Sequence, residues 1–209
     1  MDLVFATGNA GKLREAAEIL GPGFRVLSPA DVGLAGFDVE ETGTTFRENS
    51  LLKAQALWQS CGLPCFADDS GLEVDALGGA PGIYSARYAS DHNFASNIDR
   101  LLSELSAMPQ GVAAPRTLQT FPGSARFRCV VTLITGDGKP RFFDGACEGR
   151  IARERHGAGG FGYDPVFVPD LYPNLTMAEL SEEAKNAISH RGVALRLMAA
   201  WLSTQTHKL

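Results

Sequence analysis

The chain has 209 residues, 44% hydrophobic and 21% charged, with a formal net charge of −5. That length suits one domain with a substantial core. That charge argues against a broad nucleic-acid or anionic-membrane surface, while a few focused cations would still hold a small anion.

The N-terminal residues 1–5 carry no basic region, and no apolar run approaches the roughly 18 residues that span a bilayer, so neither a signal peptide nor a membrane segment is expected. Cys61, Cys65, Cys129 and Cys147 have no zinc spacing and no Cys-x-x-Cys pattern, and read as reduced thiols of a cytoplasmic protein.

Leu3, Val4, Phe5 and Ala6 form an apolar run, read as a buried strand. Thr7, Gly8, Asn9, Ala10, Gly11 and Lys12 follow. Leu13, Ala16, Ala17 and Leu20 then recur at helical spacing until Gly21, Pro22 and Gly23 stop the helix. A strand, a glycine-rich turn and a helix in succession aim backbone N–H groups at an anion. An ordinary βα loop that needs glycine for its geometry is the other reading. A P-loop does not fit, because only two residues separate Gly8 from Gly11 and Leu13 stands where that motif needs a hydroxyl.

Residues 24–27 predict a second strand. Residues 38–43 form an acidic turn containing Glu40 and Glu41. Thr45 and Glu48 are spaced as a capping box that opens a helix through about Ser60, and Lys53 lies one turn inside it. Acids just before a helix are favoured by the dipole alone, and Lys53 taken alone reads as a surface lysine.

Phe66, Ala67, Asp68, Asp69, Ser70 and Gly71 read as a short apolar strand ending in two carboxylates, with Ser-Gly turning the chain. Sites gather at strand ends, and two adjacent acids repel unless a cation or a shared proton relieves them; a solvated turn is the alternative. Leu72, Val74 and Ala76 then alternate as a half-buried strand, and residues 77–82 form a tight loop. Phe94, Ile98, Leu101, Leu102 and Leu105 mark an amphipathic helix, and residues 109–124 read as a loose, mobile loop. Residues 125–135 and 141–151 predict a hairpin.

Gly157, Gly159 and Gly162 match the dinucleotide-binding spacing, but Pro165 and an apolar run follow, so the loop leads to a strand and no Rossmann finger is expected. Phe161, Tyr163 and Asp164 on that loop suit a flat base. Thr176 and Glu179 form a second capping box, predicted to open a helix that carries Lys185. Lys185, His190 and Arg191 crowd one helix junction and suggest an anion or a purine edge.

Six stretches together resemble one family: residues 7–12, 40–43, 67–72, 77–88, 159–165 and 188–191. In order and nearly end to end, they are similar to the inosine/xanthosine triphosphate pyrophosphatases, which remove deaminated purine nucleotides. The resemblance implies an α/β fold with a long mixed central sheet flanked by helices. It also implies two lobes without a separate linker, forming one domain over residues 1–209, with the active site in the cleft between the lobes. It further implies a homodimer and Mg²⁺-dependent hydrolysis of ITP, dITP or XTP to monophosphate and pyrophosphate, with neither nucleic acid nor membrane as partner.

By the same resemblance, Thr7, Gly8, Asn9, Ala10, Gly11 and Lys12 bind the triphosphate, and Lys53 and Ser70 contact substrate. Asp69 is the catalytic carboxylate, supported by Asp68. Asp69, Glu40 and Glu41 are the metal acids. Phe161, Gly162, Tyr163, Asp164, Lys185, His190 and Arg191 recognise the base. The residue types fit. Attack at the α-phosphorus needs an oriented water, a base and cations, and Mg²⁺ is content with one or two carboxylates plus phosphate oxygens. A donor such as His190 or Arg191 rewards a 6-oxo purine and leaves adenine mismatched. Two other readings remain open: a nucleotide-binding regulatory module, and an Mg²⁺-dependent pyrophosphatase for other modified nucleotides.

Overall fold

The computed structural model describes residues 1–109 and 118–206. Half of the segment expected to be a mobile loop, residues 110–117, lies outside the described residues. Strands β1 (Asp2–Phe5), β2 (Arg25–Leu27), β3 (Cys65–Val74), β4 (Ala125–Ile134), β5 (Pro140–Ile151) and β6 (Phe167–Pro169) form one mixed sheet in the order β2-β1-β3-β4-β5-β6. β1 runs parallel to both β2 and β3, and β6 runs antiparallel to β5. The helices are α1 (Ala10–Leu20), α2 (Phe46–Cys61), α3 (Phe94–Ala107), α4 (Glu182–Ile188) and α5 (His190–Thr206). Among the described residues, no helix is long and apolar enough to cross a membrane.

The chain divides into two compact units. The first comprises Met1–Asp69, Cys129–Gly145 and the chain from His190 onward; the second comprises Ser70–Arg128 and Ala146–Ser189. In the first unit the side chains of β1 and β3 alternate between two cores, as strand geometry requires. Leu3, Phe5 and Phe66 pack with Ala16 and Leu20 of α1 and with Leu195 and Met198 of α5. Val4, Cys65 and Ala67 pack on the other face with Ala54 and Leu57 of α2. Burial on both faces is why the β1 run is continuously apolar rather than alternating. The rings of Phe5 and Phe66 stack with centroids 4.4 Å apart.

On β5, a Cβ at Gly145 would lie 2.0 Å from the His190 carbonyl oxygen and 2.8 Å from the Ala194 amide nitrogen. Only glycine lets α5 approach so closely. Gly145→Ala is therefore expected to lower stability by about 3 kcal/mol, read as a fall in the chemical-denaturation midpoint.

In the second unit α3 closes a core of Leu72, Val74, Ile98, Leu101, Phe127 and Phe167, among others. Within residues 118–124, Leu118 and Phe121 are buried and tie the stretch down, while residues 122–124 are exposed. Phe121 joins that core and donates its amide to the Ile151 carbonyl, and Thr120 bridges Ala152. Two apolar side chains in a Pro-, Gly- and Thr-rich stretch are enough to seat it.

Three sequence expectations need correction. Asp68 to Gly71 is no turn: β3 runs unbroken through both acids to Val74, so the two predicted strands are one. The Thr176–Glu179 box forms, but it closes only a 3-10 turn over Met177–Glu179; Leu180 is extended, and α4 starts afresh from its own cap, Ser181. His190 and Arg191 open α5 directly, the single extended residue Ser189 separating it from α4. The four cysteines are unbridged, and burial pushes the thiols of Cys65 and Cys147 up to about 12.

Candidate active site

Consecutive strand residues face opposite sides, so Asp68 and Asp69 acquire different partners. The expected repulsion between neighbouring acids is relieved by separation rather than by one shared cation. Asp68 points with Phe66 toward α1 and α5. Lys12 Nζ donates to its Oδ1 at 2.9 Å, and Arg191 Nε donates to its Oδ2 at 3.0 Å. Arg191 is 1% exposed, and its Nη1 also donates to Glu15 Oε2 at 2.5 Å. Burial alone would raise the Asp68 pKa, but Lys12, Arg191 and Lys53 outweigh it and hold the carboxyl far below the usual range. Burial likewise opposes the Arg191 charge, and Asp68 and Glu15 secure it.

Asp69 points with Ala67 toward α2. Asn49 Nδ2 donates to its Oδ2 at 3.1 Å, and Lys53 Nζ lies 3.7 Å from its Oδ1. The same ammonium donates to Glu41 Oε1 at 2.6 Å. Burial pushes the Asp69 carboxyl up to about 6; Glu41 adds to the rise, while Lys53, Asn49 and Lys12 oppose it. Burial also works against the Lys53 ammonium, yet Asp69, Asp68 and Glu41 hold its pKa above the ordinary lysine value. A buried carboxyl poised near neutrality beside a lysine makes Asp69 the candidate base of this cluster.

This second cluster also fits Mg²⁺. Glu41 and Asp69 converge on one cation, the Lys53 ammonium, and Mg²⁺ needs only one or two carboxylates besides phosphate oxygens. Glu40 is exposed, and Glu41 is half-buried at the lysine.

The glycine-rich turn ahead of α1 is capped from within. Asn9 Oδ1 accepts from the amides of Gly11 and Lys12, and the Asn9 amide donates to Thr7 Oγ1. Gly8 and Ala10 are exposed. Asn9 is thus the N-cap of α1, and the exposed Gly8 and Ala10 flank it.

In the second unit, the loop of Phe161, Gly162, Tyr163 and Asp164 is held from below. Asp164 Oδ2 accepts from the Phe161 amide at 2.8 Å and from Lys185 Nζ at 2.5 Å. The Lys185 ammonium lies 4.5 Å from the Phe161 ring centroid, and that ring is 37% exposed. Tyr163 is buried, its hydroxyl donating to the Ser85 carbonyl. Phe161 is therefore the aromatic face the loop presents. Asp164 holds the loop, and Tyr163 anchors it. Ser70 follows Asp69 in β3 and is half-buried.

The structure brings together Lys12, Asp68 and Arg191 in one group, Glu41, Lys53 and Asp69 in a second, and Phe161, Asp164 and Lys185 in a third. His190 is half-buried at the start of α5. Two partners escaped the sequence reading. Glu15 is a carboxylate three residues after Lys12 and next to core Ala16, and a charge on an apolar stripe is the signal that marks it. Asn49 sits four residues before Lys53, on the face of α2 that buries Phe46, Ser50, Ala54 and Leu57. That spacing was legible, but an amide carries no charge to draw notice.

This sheet, with carboxylates and lysines gathered on both faces of one strand, defines an α/β protein with a charged, largely buried candidate site. The chain belongs to the Ham1 family, whose pattern matches residues 3–201. It is 47% identical over 209 residues to a dITP/XTP pyrophosphatase of Vibrio parahaemolyticus, covering 98% of each chain. It is 48% identical to a dITP/XTP pyrophosphatase of Thioalkalivibrio sulfidiphilus, covering 95% of this chain and 96% of that one. Among solved structures, the Ham1 protein of Staphylococcus aureus superposes with a TM-score of 0.83 at 38% identity, over 98% of this chain and all of that one.

Proposed function

We propose that this protein hydrolyses deaminated purine nucleoside triphosphates, ITP, dITP and XTP, to the monophosphate and pyrophosphate, and so clears them from the nucleotide pool. The observation that carries the reading is Asp69: a buried carboxyl raised to about 6, held by Asn49 and Lys53 and facing Glu41. Relatives named dITP/XTP pyrophosphatase at 47–48% identity support the substrate class.

Asp69 is the base that orients and deprotonates the attacking water. Lys53 and Lys12 neutralise phosphate oxygens. Asp69 and Glu41, with Glu40 beside it, supply the oxygen donors for Mg²⁺, which would draw charge off the phosphates when bound. Asp68 keeps Lys12 and Arg191 in place. Thr7, Gly8, Asn9, Ala10 and Gly11 offer the turn for the triphosphate, and Ser70 a further polar contact. Phe161 offers a stacking face, framed by Gly162, Tyr163 and Asp164. Lys185 and His190 are donors of the kind that rewards a 6-oxo purine, while Arg191, its guanidinium buried on Asp68 and Glu15, secures the start of the helix that carries His190. A single catalytic domain working in the cytoplasm as a homodimer completes the reading.

A panel of nucleoside triphosphates with Mg²⁺, read by product identity, tests it. ITP, dITP and XTP should give monophosphate and pyrophosphate, with ATP about 100-fold poorer in kcat/KM, since a site built to donate to the oxo group leaves its donor unpaired opposite an amine. Diphosphate and orthophosphate as products would overturn the reading. Modified pyrimidine triphosphates turning over faster than ITP would replace its substrate class.

A further inference from the structure

We propose that Asn49 is a positioning residue that locks the Asp69 carboxylate and the acidic turn of Glu40 and Glu41 into one fixed arrangement. The inference rests on the roles given above to Asp69 and Glu41.

The Asn49 side chain has no exposed surface, and it spends one donor and one acceptor on these two segments. Its Nδ2 donates to Asp69 Oδ2 at 3.1 Å, and its Oδ1 accepts from the Gly43 amide at 2.8 Å. Both bonds leave the same rigid amide plane, so the position of Gly43 and the orientation of the carboxylate are set together.

The two ends differ in how much help they need. Asp69 is borne by β3, but a carboxylate still rotates on its own bond, and the bond from Asn49 fixes one oxygen and leaves Oδ1 on the Lys53 side. The acidic turn has no helix or strand of its own over residues 38–43. Side chains of α2 bond to it and to the residue after it: Asn49 to Gly43, Lys53 to Glu41, and Glu48 to the amide and hydroxyl of Thr44; of these, Asn49 alone also bonds Asp69 within the hydrogen-bond distance. α2 is a firm base for this, because Ser50, next to Asn49, is bonded through its hydroxyl to Thr132 of β4 at 2.7 Å.

Gly43 shows how close the approach is. A Cβ there would lie 2.6 Å from Asn49 Oδ1 and 2.7 Å from Glu48 Cβ. If the site needed only volume, a leucine at position 49 would serve; the paired bonds say that it needs an amide.

The test compares Asn49→Leu, Asn49→Ala and Gly43→Ala with the unaltered protein, using ITP and Mg²⁺. Each should lower kcat about 30-fold, with KM for ITP within about threefold and half-maximal activity reached only at about tenfold more Mg²⁺. Leucine should do no better than alanine. In the metal-free protein, the Gly43 amide should exchange with solvent at least tenfold faster in both Asn49 variants, as read by NMR. Activity of Asn49→Leu within twofold of the unaltered protein would overturn the proposal, as would an unchanged Gly43 amide in a folded Asn49 variant. Should Asn49→Ala not fold, Asn49→Leu and Gly43→Ala decide the matter. Asp69→Asn is measured alongside: full turnover there would overturn the role of Asp69, whereas loss there with full turnover in Asn49→Leu would overturn only the present inference.

Discussion

Asp69→Asn is expected to lose at least ~10³-fold in kcat, within the range that removal of a general base costs, while the protein remains folded. Its stability makes the result readable. The Asp69 carboxyl stands at about 6 in the folded protein against an ordinary 3.8. A raised carboxyl contributes stability at pH below the unfolded value and loses it as pH rises through the folded one. Between pH 4 and 7 this group therefore costs about 3 kcal/mol of stability. An amide of the same shape never ionises and escapes that cost. At pH 8 without Mg²⁺, Asp69→Asn should unfold at a higher denaturant concentration than the unaltered protein. Lost turnover with raised stability identifies a catalytic group; lost turnover with lowered stability would instead assign Asp69 to the fold. The same carboxyl predicts that kcat/KM falls below about pH 6. Bound Mg²⁺ favours the carboxylate and should move the limb of kcat to lower pH.

The second large effect concerns the fold. Arg191 is fully buried between Asp68 and Glu15. Arg191→Met takes the guanidinium away from both Glu15 and Asp68, and should lower stability by about 3–5 kcal/mol. Neutralising all three, as Arg191→Met with Asp68→Asn and Glu15→Gln, should recover much of that loss, because the penalty belongs to buried carboxylates deprived of the guanidinium's charge rather than to missing attraction. Denaturant midpoints of the single and triple variants check this; a triple variant less stable than the single would refute it. The sign with pH is opposite to that of Asp69. The depressed Asp68 carboxyl contributes stability above its unfolded value and loses it as pH falls below about 4. Arg191→Met should therefore show a shallower acid loss.

Periodicity made much of the fold legible. The helices at Phe46 and Phe94 and the strands at Ala125 and Pro140 begin within a residue or two of where apolar spacing and caps place them, and the first helix begins at Ala10, three residues ahead of its first apolar position. What misled was turn chemistry. Asp-Asp-Ser-Gly is turn-forming by composition, yet flanking apolar residues and sheet pairing carry it through as strand. The second capping box was real, but a box fixes only the first turn, and Leu180 ends the element immediately.

For the site, charged residues were easy to single out and their partners were not. Lys12, Lys53 and the two acids stand out in sequence. The pairing of Arg191 with Asp68 spans 123 positions, and no local pattern announces it. Asn49 and Glu15 lay on legible helix faces, but only packing shows that those faces meet the carboxylates.

The opposed directions of Asp68 and Asp69 carry one more consequence. Parity along β3 decides which acid meets Lys53 and which meets Arg191. That parity is fixed by where Phe66 and Ala67 bury themselves. A single residue inserted or deleted between this apolar pair and the acids would hand each carboxylate to the other's partners. The hydrophobic registration of one strand thus also allocates the chemistry.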